Sequence, residues 1–217
     1  TLQWYTQMFD SRSIMSALTT TLVIAFVSAL IATVIGTAAA ISINSMRAVP
    51  KTLVMGITNI PMLNADIVTG ISLMLAFIAF GISLGFKTVL RSHITFNIPY
   101  VILSVMPKLK QTDKYTYEAA LDLGASPLYA FFKVVFPDIM PGVLSGFLLA
   151  FTMSLDDFII THFTKGAGIN TLSTLIYSEV RRGIRPSMYA LSSIIFLTVL
   201  ILLIFVNFRS IKKPEKA

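Results

Sequence analysis

The sequence predicts an all-α integral membrane protein, and three observations carry that reading. Only 12% of the 217 residues are charged, about half the roughly 25% usual in a soluble domain. Mean hydropathy is +0.81 and 55% of the residues are apolar. The apolar residues are also clustered: 34 uncharged residues lie between Arg12 and Arg47, and Asp66 is the only charge from Thr52 to Phe86. With no water to satisfy the backbone in lipid, a chain crosses as helices or as a closed barrel, and uninterrupted apolar runs of about 20 residues mean helices.

Five spans follow in order, within a single transmembrane domain covering residues 1–217. The first, 18–43, is unbroken. The second, 52–82, is long enough to tilt or kink, and Pro61 within it frees a backbone carbonyl next to Asn59 and Asn64. The third, 88–106, carries Arg91 near its start. The fourth, 139–163, contains the adjacent Asp156 and Asp157 inside an apolar run, with Gly142 and Gly146 in a small-xxx-small pattern that favours packing within the chain. The fifth, 187–208, is free of charge. Residues 1–17 have no long apolar core and do not form a signal peptide. Trp4 and Tyr5 suit an external interface.

A net charge of +7 would suggest nucleic-acid binding in a soluble protein. Here Lys and Arg gather at the ends of spans, as membrane anchors do, and no nucleic-acid partner is expected. There are no cysteines, so thiolate metal sites and disulfides are excluded. His93 and His162 are too isolated for a metal site, no nucleophile–base pair is visible, and no GxxxxGK[ST] phosphate loop occurs. The chain is therefore not expected to be an enzyme or to hold a cofactor. Arg47, Lys51, Lys108, Lys110, Lys114, Lys133, Arg209, Lys212, Lys213 and Lys216 fall on one side of the spans. The other side has Arg12, Lys87, Arg91, Lys165, Arg181, Arg182 and Arg185. Ten against seven places the first side in the cytoplasm, by a narrow margin.

Between the third and fourth spans lies a polar stretch, 108–137. Asp113 to Leu123 has helix formers and a charged face, and Gly124 is placed to end that helix. Ser126-Pro127 then forms an N-cap followed by proline at the first helical position. A second short helix from Leu128 should stop at Pro137. Two short helices joined at a glycine make a compact knob, and small Ala119 and Ala120 would let another protein approach closely.

Glu118-Ala119-Ala120, three residues, Gly124, nine residues, Val134, one residue, then Phe136-Pro137 resembles the EAA loop of ABC-importer permeases. Val134 and Phe136 stand where that family has Ile and Leu. Phe151 to Phe158, Thr164-Lys165-Gly166, Tyr177 to Val180 and Ser92 to Tyr100 resemble the C-type permeases of spermidine/putrescine importers. The resemblance implies the type I ABC-importer permease fold. It implies that 108–137 is a cytoplasmic coupling loop, with Glu118, Ala119, Ala120, Gly124 and Pro137 facing the ATPase and the C-terminus cytoplasmic. The family has six spans, so an N-terminal helix is expected to be missing here. The implied setting is a bacterial inner membrane, with a second homologous permease, two copies of an ATP-binding subunit and an external substrate-binding protein. ATP and Mg would bind the ATPase alone.

Acids within a membrane span cost about 2.5–3.5 kcal/mol on insertion scales and are functional candidates by default. Asp156 lies 18 residues past Asp138, roughly 27 Å along a helix, and Asp66 roughly 22 Å past Lys51. Asp66, Asp156 and Asp157 would then lie in the outer half of the membrane, where separated carboxylates suit a flexible polyamine. Pairing of one acid with Arg91 or an outer arginine is the structural alternative, and the sequence does not say which of Asp156 and Asp157 faces the path. Rival functions are a permease for another cationic or small substrate, and an ion channel or secondary transporter using the Asp pair. Neither a channel nor a secondary transporter explains the spacing from Glu118 to Pro137.

Overall fold

The computed structural model describes residues 3–183, 189–193, 197 and 200. Its elements are α1 (Gln3–Asp10), α2 (Arg12–Ser45), α3 (Ala48–Leu63), α4 (Asp66–Ala79), α5 (Phe86–Gln111), α6 (Lys114–Asp122) and α7 (Pro127–Ala130). One π-helical turn (Phe131–Val135), α8 (Phe136–Asp156), α9 (Ile159–Thr164) and α10 (Leu172–Arg182) follow. No strand occurs among the described residues. Three helical stretches there are long and apolar enough to cross a membrane: Arg12–Ser45, Phe86–Gln111 and Pro127–Asp156. The bent pair α3–α4 makes a fourth if counted as one span. The expected fifth span, 187–208, and the C-terminal basic residues lie outside the described residues apart from the isolated positions named above.

The core is a three-helix stack of α2, α5 and α8. Helix α2 buries a stripe of small residues, among them Ala25, Ser28, Ala29, Ala32, Gly36 and Ala40. Their spacing of three and four residues keeps one narrow face against its neighbours. Between lipid-embedded helices apolar side chains gain little over lipid tails, so close backbone approach supplies the attraction. A Cβ on Gly36 would sit 2.7 Å from Val101 Cβ, and one on Gly142 would sit 3.0 Å from Ser104 O. Gly142 and Gly146 therefore pack α8 on α5 within the chain, as their spacing predicts. At Gly146 an added Cβ would lie 3.3 Å from Val101 Cα, where backbone rather than a flexible side chain would have to move. Gly146→Val should destabilise the fold by about 1–3 kcal/mol, read as a lower thermal midpoint of the detergent-purified protein.

Three expectations need correction. First, the second span is not one helix with its kink at Pro61. Pro61 stays inside α3, the chain leaves the helix at Asn64 and Ala65, and α4 departs at 103°. Proline weakens the last turn of α3, and Asn readily trades helical for extended backbone. The roughly 22 Å depth for Asp66 assumed one straight helix and does not survive the bend. Second, Pro137 does not stop a helix. In the π turn, the Phe136 N–H reaches Phe131 O, five residues back. The widened turn seats a residue that has no N–H of its own to contribute, and Pro127–Asp156 forms one span. Third, the fourth span does not run to residue 163: α8 ends at Asp156, Asp157 is extended, and the short α9 begins at Ile159.

Candidate translocation path and coupling face

At the break after α8 the two adjacent acids separate. Asp156 ends α8 and is exposed, whereas the Asp157 side chain is only 7% accessible. Asp157 Oδ1 accepts from the Ile160 N–H (3.1 Å), and Oδ2 accepts from both the N–H and the hydroxyl of Thr161 (2.8 Å each). Its carboxylate thus caps the amino end of α9. His93 Nε2, from α5, lies 3.4 Å from the same Oδ2 and 2.9 Å from Thr161 Oγ1. Ser173, in α10, donates to the Asp157 carbonyl (2.7 Å). Asp157 is paired with His93, not with Arg91 or an outer arginine.

One turn further into the bundle lies a second polar layer. Asn97 Nδ2 donates to Ser154 Oγ (2.7 Å), which lies 3.0 Å from Ser28 Oγ, so α5, α8 and α2 are bonded together at a fully buried level. Near the other end of α9, Thr88 Oγ1 donates to Thr164 O (2.8 Å). With no water in lipid to satisfy these groups, each such bond ties neighbouring helices together and fixes their register. The sequence alone does not mark Asn97, Ser154 and His93 as members of these layers. His93 and Asn97 stand four residues apart on one face of α5, a visible polar signal in Ser92 to Tyr100, but the partners in these layers lie 57 to 126 residues apart in sequence.

Aromatic rings flank the break. Phe158 and Tyr177 lie 4.6 Å apart between centroids, and His162 lies 5.2 Å from Phe158. An ammonium ion is attracted both to a carboxylate and to such ring faces. Asp66 opens α4 and is exposed. One turn on, Gly70 seats α4 against Ile160 and Phe163 of α9. The bent second span thus packs on the same segment that Asp157 caps. Pro61 lines a separate cavity of about 380 Å³ between α2, α3 and α5.

At the other end of α8 stands the two-helix knob. Asp113 accepts from the Tyr115 N–H (3.0 Å) to start α6. Gly124 ends it at φ +86°. The Gly124 N–H donates to Leu121 O (2.9 Å) and the Ala125 N–H to Ala120 O (3.1 Å), the paired bonds of a Schellman turn. Ser126 then accepts from the Tyr129 N–H (3.4 Å). These features match the helix starts and the glycine stop expected from sequence. Glu118 and Tyr117 border a cavity of about 440 Å³ reaching the ends of α2 and α5. Ala119 and Pro137 are exposed and Ala120 is half-buried. Around them Leu123 is 90% exposed, with Tyr115, Leu128, Tyr129 and Phe132 also exposed. Lys133, next to Phe132 in the chain, is exposed as well. No group of three or more metal-ligating side chains occurs among the described residues.

Residues 32–211 match the family described as the inner membrane component of binding-protein-dependent transport systems. The chain is 38% identical over 204 residues to the spermidine/putrescine transport system permease protein PotC of Escherichia coli, covering 94% of this chain and 77% of that protein. To PotC of Haemophilus influenzae it is 37% identical over 201 residues, covering 93% and 78%. To the putrescine transport system permease protein PotI of Escherichia coli it is 37% identical over 200 residues, covering 89% and 71%. Among solved structures, a chain of the MetNI methionine ABC transporter in an inward-facing conformation superposes with a TM-score of 0.72 at 19% identity, covering 93% of this chain and 98% of that one. A bacterial ABC importer of alginate gives 0.75 at 18% identity, covering 97% and 84%.

Proposed function

Starting from a chain that belongs to the family of binding-protein-dependent transport inner membrane components, we propose that it is the permease subunit of an ATP-driven polyamine importer carrying spermidine or putrescine. The observation that carries this reading is identity of 37–38% to spermidine/putrescine permeases over more than nine-tenths of the chain. The methionine and alginate transporters share the fold at 18–19% identity, so the substrate class rests on the closer sequence relatives and on the chemistry of the acids.

In this reading the protein sits in a bacterial inner membrane as one transmembrane domain and pairs with a second, homologous permease. Two copies of an ATPase bind ATP and Mg on the cytoplasmic side, and an external binding protein delivers the polyamine. Asp156 and Asp66 offer exposed carboxylates to the cargo's ammonium groups, Phe158 and Tyr177 supply an aromatic wall, and Asp157 holds the break in place. The knob bearing Glu118, Ala119, Ala120 and Gly124, with Pro137 at its edge, meets the ATPase through its exposed apolar side chains. Closure of the ATPase dimer then moves the knob, and α8 is the rigid connection from the knob to Asp156. Its 20-residue separation of Phe136 from Asp156 is roughly 30 Å, the thickness of the hydrocarbon layer.

Two measurements test the proposal. The tagged permease should co-purify with an ATPase subunit. The assembled complex in proteoliposomes should accumulate radiolabelled spermidine and putrescine only with ATP and binding protein present. Accumulation driven by an ion gradient without ATP would instead mark a secondary transporter or channel.

A further inference from the structure

We infer that His93 is a positioning residue for transport: through Thr161 and Asp157 it fixes the break that presents Asp156. The inference rests on the assignment of Asp156 to the substrate path. His93 is 1% exposed and packs edge-on against Phe96, with ring centroids 5.3 Å apart. Its neighbours require a proton on Nε2. Thr161 spends its hydroxyl proton on Asp157 Oδ2 (2.8 Å), so its oxygen must accept from His93 Nε2, 2.9 Å away. The proton therefore sits on Nε2, which also faces Asp157 Oδ2. Nδ1 has no hydrogen-bond partner among the described residues.

This arrangement answers why a histidine stands where an arginine would bind a carboxylate more strongly. An arginine would cancel the charge of Asp157 and place a fixed cation beside the path, repelling an ammonium cargo. A histidine supplies the orienting Nε2–H to the Thr161–Asp157 pair without a guanidinium's permanent charge. Asp157 is already occupied by three bonds from α9 and by His93, whereas Asp156 is free to meet solvent or cargo. The two residues share a peptide unit. Fixing Asp157 from α5, α9 and α10 therefore sets the direction in which Asp156 leaves the end of α8.

The test uses the complete complex with ATPase and binding protein in proteoliposomes. Spermidine uptake is measured against concentration, with cargo-independent ATP hydrolysis and the yield of assembled complex measured alongside. His93→Leu should raise the half-saturating spermidine concentration about threefold to tenfold, with yield and basal hydrolysis unchanged. His93→Gln, whose amide can still donate to the Thr161–Asp157 pair, should return it to within about twofold of the parent. Thr161→Val removes the bridging hydroxyl at nearly constant shape and should raise it as His93→Leu does, which keeps the test open if the leucine variant does not assemble. Unchanged half-saturation in His93→Leu and Thr161→Val beside an impaired Asp156→Asn would overturn the role of His93 alone. Loss of yield in parallel with uptake at unchanged half-saturation would also overturn it, by showing a purely structural contact. An unimpaired Asp156→Asn would remove the path assignment and this inference with it.

Discussion

Asp156→Asn is expected to lower spermidine uptake about 10-fold to 100-fold while the complex assembles normally. The amide keeps the side chain's shape and removes the charge. A charge-assisted hydrogen bond is worth about 1.5–3 kcal/mol, and each 1.4 kcal/mol is tenfold. Asp156 is exposed at the end of α8 and no hydrogen bond among the described residues restrains its side chain, so its loss should leave the fold intact. The loss should be larger for spermidine than for putrescine, because spermidine has one more ammonium group to satisfy. Asp157→Asn should behave differently. Its two oxygens accept from two backbone N–H groups and one hydroxyl, and an amide must turn its NH₂ toward one of these donors. Reduced yield, with a raised half-saturating concentration in the complex that does assemble, is therefore expected of Asp157→Asn. Uptake of both amines measured beside complex yield separates the two outcomes. Normal uptake in each single variant and in the Asp156/Asp157 double variant would remove this pair from the path and leave Asp66 as the leading candidate.

How far these sites were legible in the sequence follows the range of the interactions that make them. The knob was legible because its signals are local. Asp113, Gly124 and Ser126-Pro127 act within four residues of themselves, and each forms the cap or stop its residue type favours. Pro137 misled because the rule that proline ends a helix assumes the α-helical bond to the fourth residue back, and the π turn at 131–135 suspends that assumption. Pro61 and Asn64 marked the second span as interrupted but did not locate the 103° bend, which depends on what α4 finds to pack against, namely α9. The acids show the limit most clearly. As neighbours in sequence Asp156 and Asp157 are equivalent, and a helix through both would turn them about 100° apart. What divides them is His93, 64 residues earlier, together with the start of a new helix at Ile159. A histidine on an apolar helix carries no mark of its partner until the helices are packed.

Coupling at the knob yields the second large effect. Gly124→Val should abolish most ATP-driven uptake while leaving membrane insertion and the α2–α5–α8 core unchanged. Gly124 has φ +86°, a region costing an L-residue roughly 1–2 kcal/mol and worst tolerated by β-branched side chains. Both Schellman bonds, from Gly124 to Leu121 O and from Ala125 to Ala120 O, depend on that conformation. Losing them would change the angle between α6 and α7 and so misdirect Glu118 and Ala119. An added Cβ at Gly124 meets nothing within 4 Å inside the chain, so the intrachain cost is conformational rather than steric. That separation makes a second variant informative. Gly124→Asn should retain most uptake, because asparagine tolerates the left-handed region, unless the ATPase itself presses on this glycine. If valine and asparagine uncouple equally while the ATPase stays bound and active, close approach by the partner is the cause. If valine imports at the parental rate with the ATPase bound, the turn at Gly124 has no part in transmitting ATP-driven motion to α8.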